Sequence, residues 1–384
     1  MSVLIQDTAR NTLAGWTTTG LKRGTAAGAI LSPFSSPKTG NSYKIDATRI
    51  ADRIRKAGGE FWFDPTTHAL QMPQAGDFRY YDEWDLWSGD RNRLETAADQ
   101  REHVRRVFNI QDQLGVPLLG PTVLLHSSQS QKSLQAIDLA EVARSEAGSR
   151  DVWLSIVGDS QFWASGADLD AHIGVLDQLE PAGWMVSVVR PQSTIPVAAH
   201  GEEIAGMMRT VFALSQDRPV IIGHGDFAGL PGVAAGAKTI GSGGDIRQRV
   251  CSYTDYVARP LNGSDFGSWY KRPTLGGLFG AMSTNEYNVL LDQDQALAQR
   301  LTPGHFIDTP GEAFQHHIRV LAEAVENLNQ LSGEARVRQL QAWYSDALKE
   351  WPEAQRISGC AAGGTSWVAP LLDGVELFIR GEGW

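Results

Sequence analysis

Short apolar runs, each closed by a polar or glycine residue and separated by amphipathic stretches, set the rhythm of this chain. Residues 26–31, 60–63, 117–125, 151–157, 184–189, 219–222 and 238–240 read as buried strands. Between them, residues 45–57, 94–114, 133–146, 167–179 and 202–214 carry apolar positions at helical spacing. Gly58-Gly59 stops the first of these helices. Strand and helix in alternation form the unit of parallel α/β folds, and seven such strands by Ile240 favour a closed barrel over an open sheet with edges to cover. The fold expected is an α/β (β/α)8 TIM-like barrel with a helical C-terminal extension.

The same pattern divides the chain. Residues 1–24 read as a peripheral N-terminal segment, 25–300 as the barrel, and 301–384 as helices packed on it. The eighth strand is placed within residues 275–282, where glycines and prolines blur the alternation. Residues 312–331 and 334–350 follow as amphipathic helices, punctuated by Pro310 and Gly333. Residues 71–92 break the rhythm with a long stretch of aromatic and acidic side chains. A loop of that length is a packed excursion, a substrate-facing wall or a subunit contact, with Trp84 and Trp87 as the ligand-facing candidates.

Composition narrows the classes. Of 384 residues, 42% are hydrophobic and 20% charged, as in globular proteins. A net charge of −10 argues against a general nucleic-acid surface, which needs clustered Lys and Arg. Two distant cysteines, Cys251 and Cys360, suit neither a disulfide framework nor a zinc ribbon. Asp7 and Arg10 stand where a secretory signal needs an apolar run, and no segment has the length of apolar chain that a membrane span requires, so a cytoplasmic protein is expected.

Chemistry is sought at the strand exits, because groups at the carboxyl ends of barrel strands converge on one cavity. There lie Ser35, Asp64, His68, His126, Asp159, Arg190, His224, Asp226 and Ser242. Asp64, Asp159 and Asp226 are candidate catalytic carboxylates, whose titrations would split if they met. Each has a plainer role as well, in an Asx turn or as a cap. His224 is the candidate imidazole; in the run His-Gly-Asp it shares a side with Asp226 if the strand continues extended. A divalent metal on that pair is weighed below a simple hydrogen-bonding role, and no metal ligand is assigned. Ser35, His68, His126 and Arg190 are candidate ligand-binding groups.

The turn Gly241-Ser242-Gly243-Gly244, ahead of a helix beginning near Asp245, offers unobstructed amides for an anion, with Ser242, Gly243 and Gly244 as binding residues. Arg190 adds a charge, whereas Arg247 and Arg249 are expected to face outward. The run GLPGVAAGAKTIGSG, residues 229–243, resembles the penultimate-strand region of phosphate-binding barrels, flavin-dependent ones among them. It is loosely similar to the tRNA-guanine transglycosylase superfamily, whose aspartate nucleophile and cysteine-built zinc site have no counterpart in this chain. It identifies no family.

The function expected is acid–base hydrolysis or group transfer, glycosyl or nucleobase transfer included, on a small polar, phosphorylated or anionic ligand. Two alternatives stand beside it. One is a non-catalytic barrel forming a homo-oligomer or binding a protein partner; the other is a flavin-dependent oxidoreductase. The cofactor stays undetermined.

Overall fold

A computed structural model describes residues 3–7, 9–42, 44–194, 197, 199–258, 272–302, 306–361 and 363–384. Its centre is a nearly closed barrel of parallel strands: β1 (Val3–Gln6), β2 (Gly28–Leu31), β3 (Glu60–Phe63), β4 (Leu118–Leu119), β5 (Val152–Asp159), β6 (Gly183–Arg190), β7 (Val220–Gly223) and β8 (Thr239–Ser242). They run in spatial order β3-β2-β1-β8-β7-β6-β5-β4. Helices α1 (Asn11–Arg23), α2 (Ala47–Lys56), α3 (Ala97–Leu114), α4 (Gln131–Ala147), α5 (Ser160–Trp163), α6 (Ala167–Asp177), α7 (Gly201–Leu214) and α8 (Leu230–Ala235) connect them. The (β/α)8 reading therefore holds.

The strand count needs a correction at both ends. Residues 1–24, expected at the periphery, supply the first strand, which pairs with β2 on one side and β8 on the other. The run is short, yet all four of its residues are buried between these neighbours. Consequently the eighth strand is Thr239–Ser242, and residues 275–282 contribute none to the barrel. The glycine-rich turn there, with Phe279 in the left-handed region, folds an antiparallel hairpin instead.

Period-two alternation sorts the strand side chains. Leu4, Ile30, Trp62, Leu119, Met185 and Ile221 pack together inside the barrel with Trp153. Their neighbours Val3, Ile5, Phe61, Phe63, Leu154, Val186 and Ile222 join the larger core beneath the helices. Strands β3 and β4 share no ladder, and the side chain of Gln111 from α3 closes that seam. Its Nε2 donates to the carbonyls of Phe63 (3.1 Å) and Leu119 (3.0 Å), and its Oε1 accepts from Leu119 N at 3.1 Å.

After β8 the chain forms α9 (Ile246–Arg249) and a two-residue strand β9 (Cys251–Ser252). β9 pairs with β6 through Val189↔Cys251 and Arg190↔Ser252, in the place beside β6 left free where β7 ends. The hairpin strands β10 (Thr274–Leu275) and β11 (Gly280–Ala281) lead to α10 (Thr284–Gln293), α11 (Gln295–Leu301), α12 (Pro310–Asn329), α13 (Gly333–Ser358) and α14 (Val368–Glu382). α12 completes the outer ring by packing on α1, α8, β1 and β8, with Gln315 Nε2 donating to Trp16 O at 2.8 Å. Among the described residues no helix is long and apolar enough to cross a membrane.

Candidate active site at the barrel mouth

Four of the nine non-glycine residues with positive φ among the described residues lie just beyond the carboxyl ends of barrel strands. Asp7 after β1 (φ 54°), Thr66 after β3 (φ 47°), and His224 (φ 47°) and Asp226 (φ 44°) after β7 all adopt left-handed conformations without being glycine. Such residues cost energy that surrounding contacts must offset, and they cluster at sites where side-chain direction matters.

The alternation that buries Leu4 inside the barrel puts Gln6 inside as well. Its Nε2 donates to His224 Nε2 at 2.7 Å. Because an amide nitrogen only donates, the imidazole accepts there and carries its proton on Nδ1. Burial lowers the pKa of His224, with Asp7 opposing, so the ring is neutral near pH 7. His68, 4% exposed, is pushed down to about 3 by burial and by the proximity of His224.

Beside these rings stand two carboxylates. Asp7 Oδ1 accepts from Ser35 Oγ at 2.5 Å and Ser32 Oγ at 3.1 Å. Asp64, inward-facing like Trp62, accepts from Thr66 N at 2.8 Å in the Asx turn its sequence suggested. Burial raises Asp64 to about 6 against the pull of that bond, and the charge of Asp7 adds to the rise. Lys44, from the loop before α2, donates to Ser35 O and sits over the Tyr80 ring at 4.2 Å.

On the β4–β5 side, His126 Nδ1 donates to Asp159 Oδ2 at 2.5 Å, and Tyr253 OH donates to the same oxygen at 3.2 Å. Asp159 Oδ1 meanwhile caps α5, accepting from Gln161 N (3.0 Å) and Phe162 N (3.1 Å). Asp159 thus makes the cap its sequence suggested with one oxygen and holds His126 and Tyr253 with the other. Between the two polar groups lies an apolar plug of Met72, Leu124, Val157, Val189, Cys251 and Tyr256. The roof is made where the β3 loop meets the segment after β9: Gly76 N donates to Tyr256 O at 2.8 Å, and Phe34 packs against Tyr81 and Tyr256.

Several expected site residues go elsewhere. His224 and Asp226 do not share a side, because the left-handed backbone at both breaks the strand alternation. Asp226 turns outward to accept from Ser242 Oγ (2.8 Å) and His317 Nε2 (3.1 Å), with Arg249 Nε at 3.6 Å. Burial alone would raise Asp226; His317 and Arg249 outweigh it and hold the carboxyl well below its usual range. Arg249, expected outward, is 3% exposed and donates to Gly243 O at 2.8 Å. Arg247 is half-buried near Asp255, at 3.6 Å.

The glycine turn offers no open anion seat. Asp245 and Gln248 cap α9 reciprocally, and a Cβ on Gly243 or Gly244 would fall 2.5 Å from Gln248 or 2.8 Å from Phe314. Arg190 is buried in an ion pair with Glu203 at 2.5 Å. Trp84 is buried, donating to Ser36 O at 2.8 Å, and Trp87 stacks on His103 at 3.9 Å, so both rings serve packing. Both cysteines are buried and neither takes part in a disulfide.

Sequence reasoning missed Gln6, Asp7, Lys44, Arg249 and His317. For Asp7 a signal existed: Val3-Leu4-Ile5-Gln6-Asp7 repeats the apolar-run-then-acid pattern of Phe61-Trp62-Phe63-Asp64. Among the described residues no three His, Cys, Asp or Glu are grouped to hold a metal ion. No protein-family model matches the chain, and no curated protein matches its sequence.

Proposed function

We propose that this barrel is an enzyme carrying out acid–base hydrolysis or group transfer on a small polar ligand held in its mouth. One observation carries the reading: Asp7 and Asp64, at the exits of β1 and β3, occupy unlike environments within reach of each other's charge. With Asp64 raised to about 6, a fraction stays protonated near neutral pH, while Asp7 is dressed by two serine hydroxyls as an acceptor. Two carboxyl groups in such unlike surroundings can divide the roles of acid and base. Neutral His224 and His68 supply uncharged hydrogen-bonding walls. On the far side, Asp159 orients His126, a half-exposed imidazole.

The buried Nη2 of Arg247, the Oε1 of Gln6 and the Oγ1 of Thr66 have no hydrogen-bond partner among the described residues. Buried polar groups are rarely left so, and a ligand with both donors and acceptors would satisfy them. An anionic group on that ligand would find Arg247 and Lys44 rather than the filled glycine turn.

The test pairs ligand discovery with substitution. Native mass spectrometry of the purified protein, against a matched denatured spectrum, identifies any retained small molecule, and a thermal-shift screen of small polar compounds extends the search. With a turned-over ligand in hand, Asp7→Asn and Asp64→Asn are each expected to lose turnover while keeping the circular dichroism of the native chain. Full turnover in both variants would remove the reading.

A further inference from the structure

We propose that Lys44 is a nucleophilic amine of the mouth, forming an imine with an aldehyde or ketone ligand; this rests on the acid–base reading above and names its substrate class. The observation is a chain of contacts. Lys44 Nζ is held by Ser35 O, Ser35 Oγ donates to Asp7 Oδ1 at 2.5 Å, and the charge of Asp7 reaches both Lys44 and Asp64. The amine is therefore fixed at one end of a row that contains an acceptor carboxylate and a partly protonated one. The ring of Tyr80 lies 4.2 Å from Nζ and forms a wall beside it.

The electrostatics agree with the geometry. Burial lowers Lys44 to about 8; Asp7 and Asp77 oppose that shift, while Arg10 and Arg79 add to it. At pH 7 such an amine is neutral on the order of a hundredfold more often than an ordinary lysine. A desolvated lysine beside cationic groups is a recurrent way of making this nucleophile.

The step balances with the groups present. The Nζ lone pair attacks the carbonyl carbon, the carbonyl oxygen takes the proton of Asp64, and one N–H proton passes to Asp7, giving the carbinolamine. Asp7 then returns that proton to the hydroxyl, which leaves as water as the nitrogen lone pair closes the C=N bond. The products are a protonated imine, an ionised Asp64 and one water.

The whole chain is incubated at pH 7 with glyceraldehyde or with pyruvate, one aldehyde and one α-keto acid, in the presence of cyanoborohydride. Peptide mapping then measures label on each lysine. Lys44 is expected to carry at least about tenfold more label than exposed Lys38, following its larger neutral fraction, and Lys44→Arg to lose it. Labelling of Lys44 no faster than Lys38 by either probe overturns the proposal. Because the native protein is read directly, a poorly folding variant does not blunt the test. The two readings also separate: uniform labelling with turnover lost in Asp64→Asn removes the imine and keeps the acid–base site. Selective labelling of Lys44 with turnover intact in Asp64→Asn and Asp7→Asn keeps the amine and removes the carboxylate roles.

Discussion

Gln6 reaches past β8 to place its Nε2 2.7 Å from His224 Nε2, and it does so over the one position in that strand without a side chain, Gly241. A Cβ on residue 241 would lie 2.4 Å from Gln6 Oε1 and 2.9 Å from His224 N. The glycine is needed for close approach, its backbone being ordinary strand. Gly241→Ala is therefore expected to lower stability by about 1–3 kcal/mol through overpacking. It should also displace His224, seen as a shift in its imidazole signals by NMR; unchanged His224 resonances and an unchanged denaturation midpoint would contradict the assignment.

Asp64 gives a prediction with a defined sign. Its folded pKa is raised above the unfolded value, so it favours the folded state fully below the unfolded pKa and loses that contribution as pH rises through about 6. The loss is on the order of 2 kcal/mol after allowance for partial solvent access. Asp64→Asn removes the ionisation. The stability of the variant relative to the native protein should therefore increase between pH 4 and pH 7, measured by urea denaturation at each pH. Parallel curves would show that Asp64 titrates normally.

Asp226 behaves oppositely. Its pKa is depressed by His317 and Arg249 against the effect of burial, so its contribution is present above the unfolded pKa and lost as pH falls through the folded value. Asp226→Asn leaves Arg249 with a weakened counter-charge in a buried site and is expected to cost about 3 kcal/mol. The folded fraction of that variant should still bind whatever ligand the mouth retains. Loss of binding at native stability would return Asp226 to the site.

Gln111 supplies three bonds across the seam between β3 and β4. Gln111→Leu leaves the Phe63 and Leu119 carbonyls and the Leu119 amide without these partners, at an expected cost of about 2–4 kcal/mol. Hydrogen exchange at the Leu119 amide should accelerate well beyond the global change. Equal acceleration at all barrel amides would mean the seam is held by something else.

The alternation of apolar runs and amphipathic helices was enough to determine a parallel α/β barrel, because strand and helix periods and the turns between them are local properties. The run from Glu60 to Phe63 and its exit at Asp64 were legible for that reason, as were the Asx turn at Asp64 and the cap at Asp159. What the sequence left undecided was which strand exits meet. Val3–Gln6 becomes a strand only because β2 and β8 bury it on both sides, and with it Asp7 becomes the partner of Asp64. Left-handed backbone at His224 and Asp226 sends two residues that share a motif to opposite sides of β8, one to Gln6 and one to His317 on α12. Lys44 acquires its unusual amine from burial, with Arg10 adding to the shift and Asp7 opposing it; both groups follow β1, the strand next to its own in the barrel but distant from it in sequence. Pairing, burial and charge depend on neighbours distant in sequence, and only the folded chain brings those neighbours together.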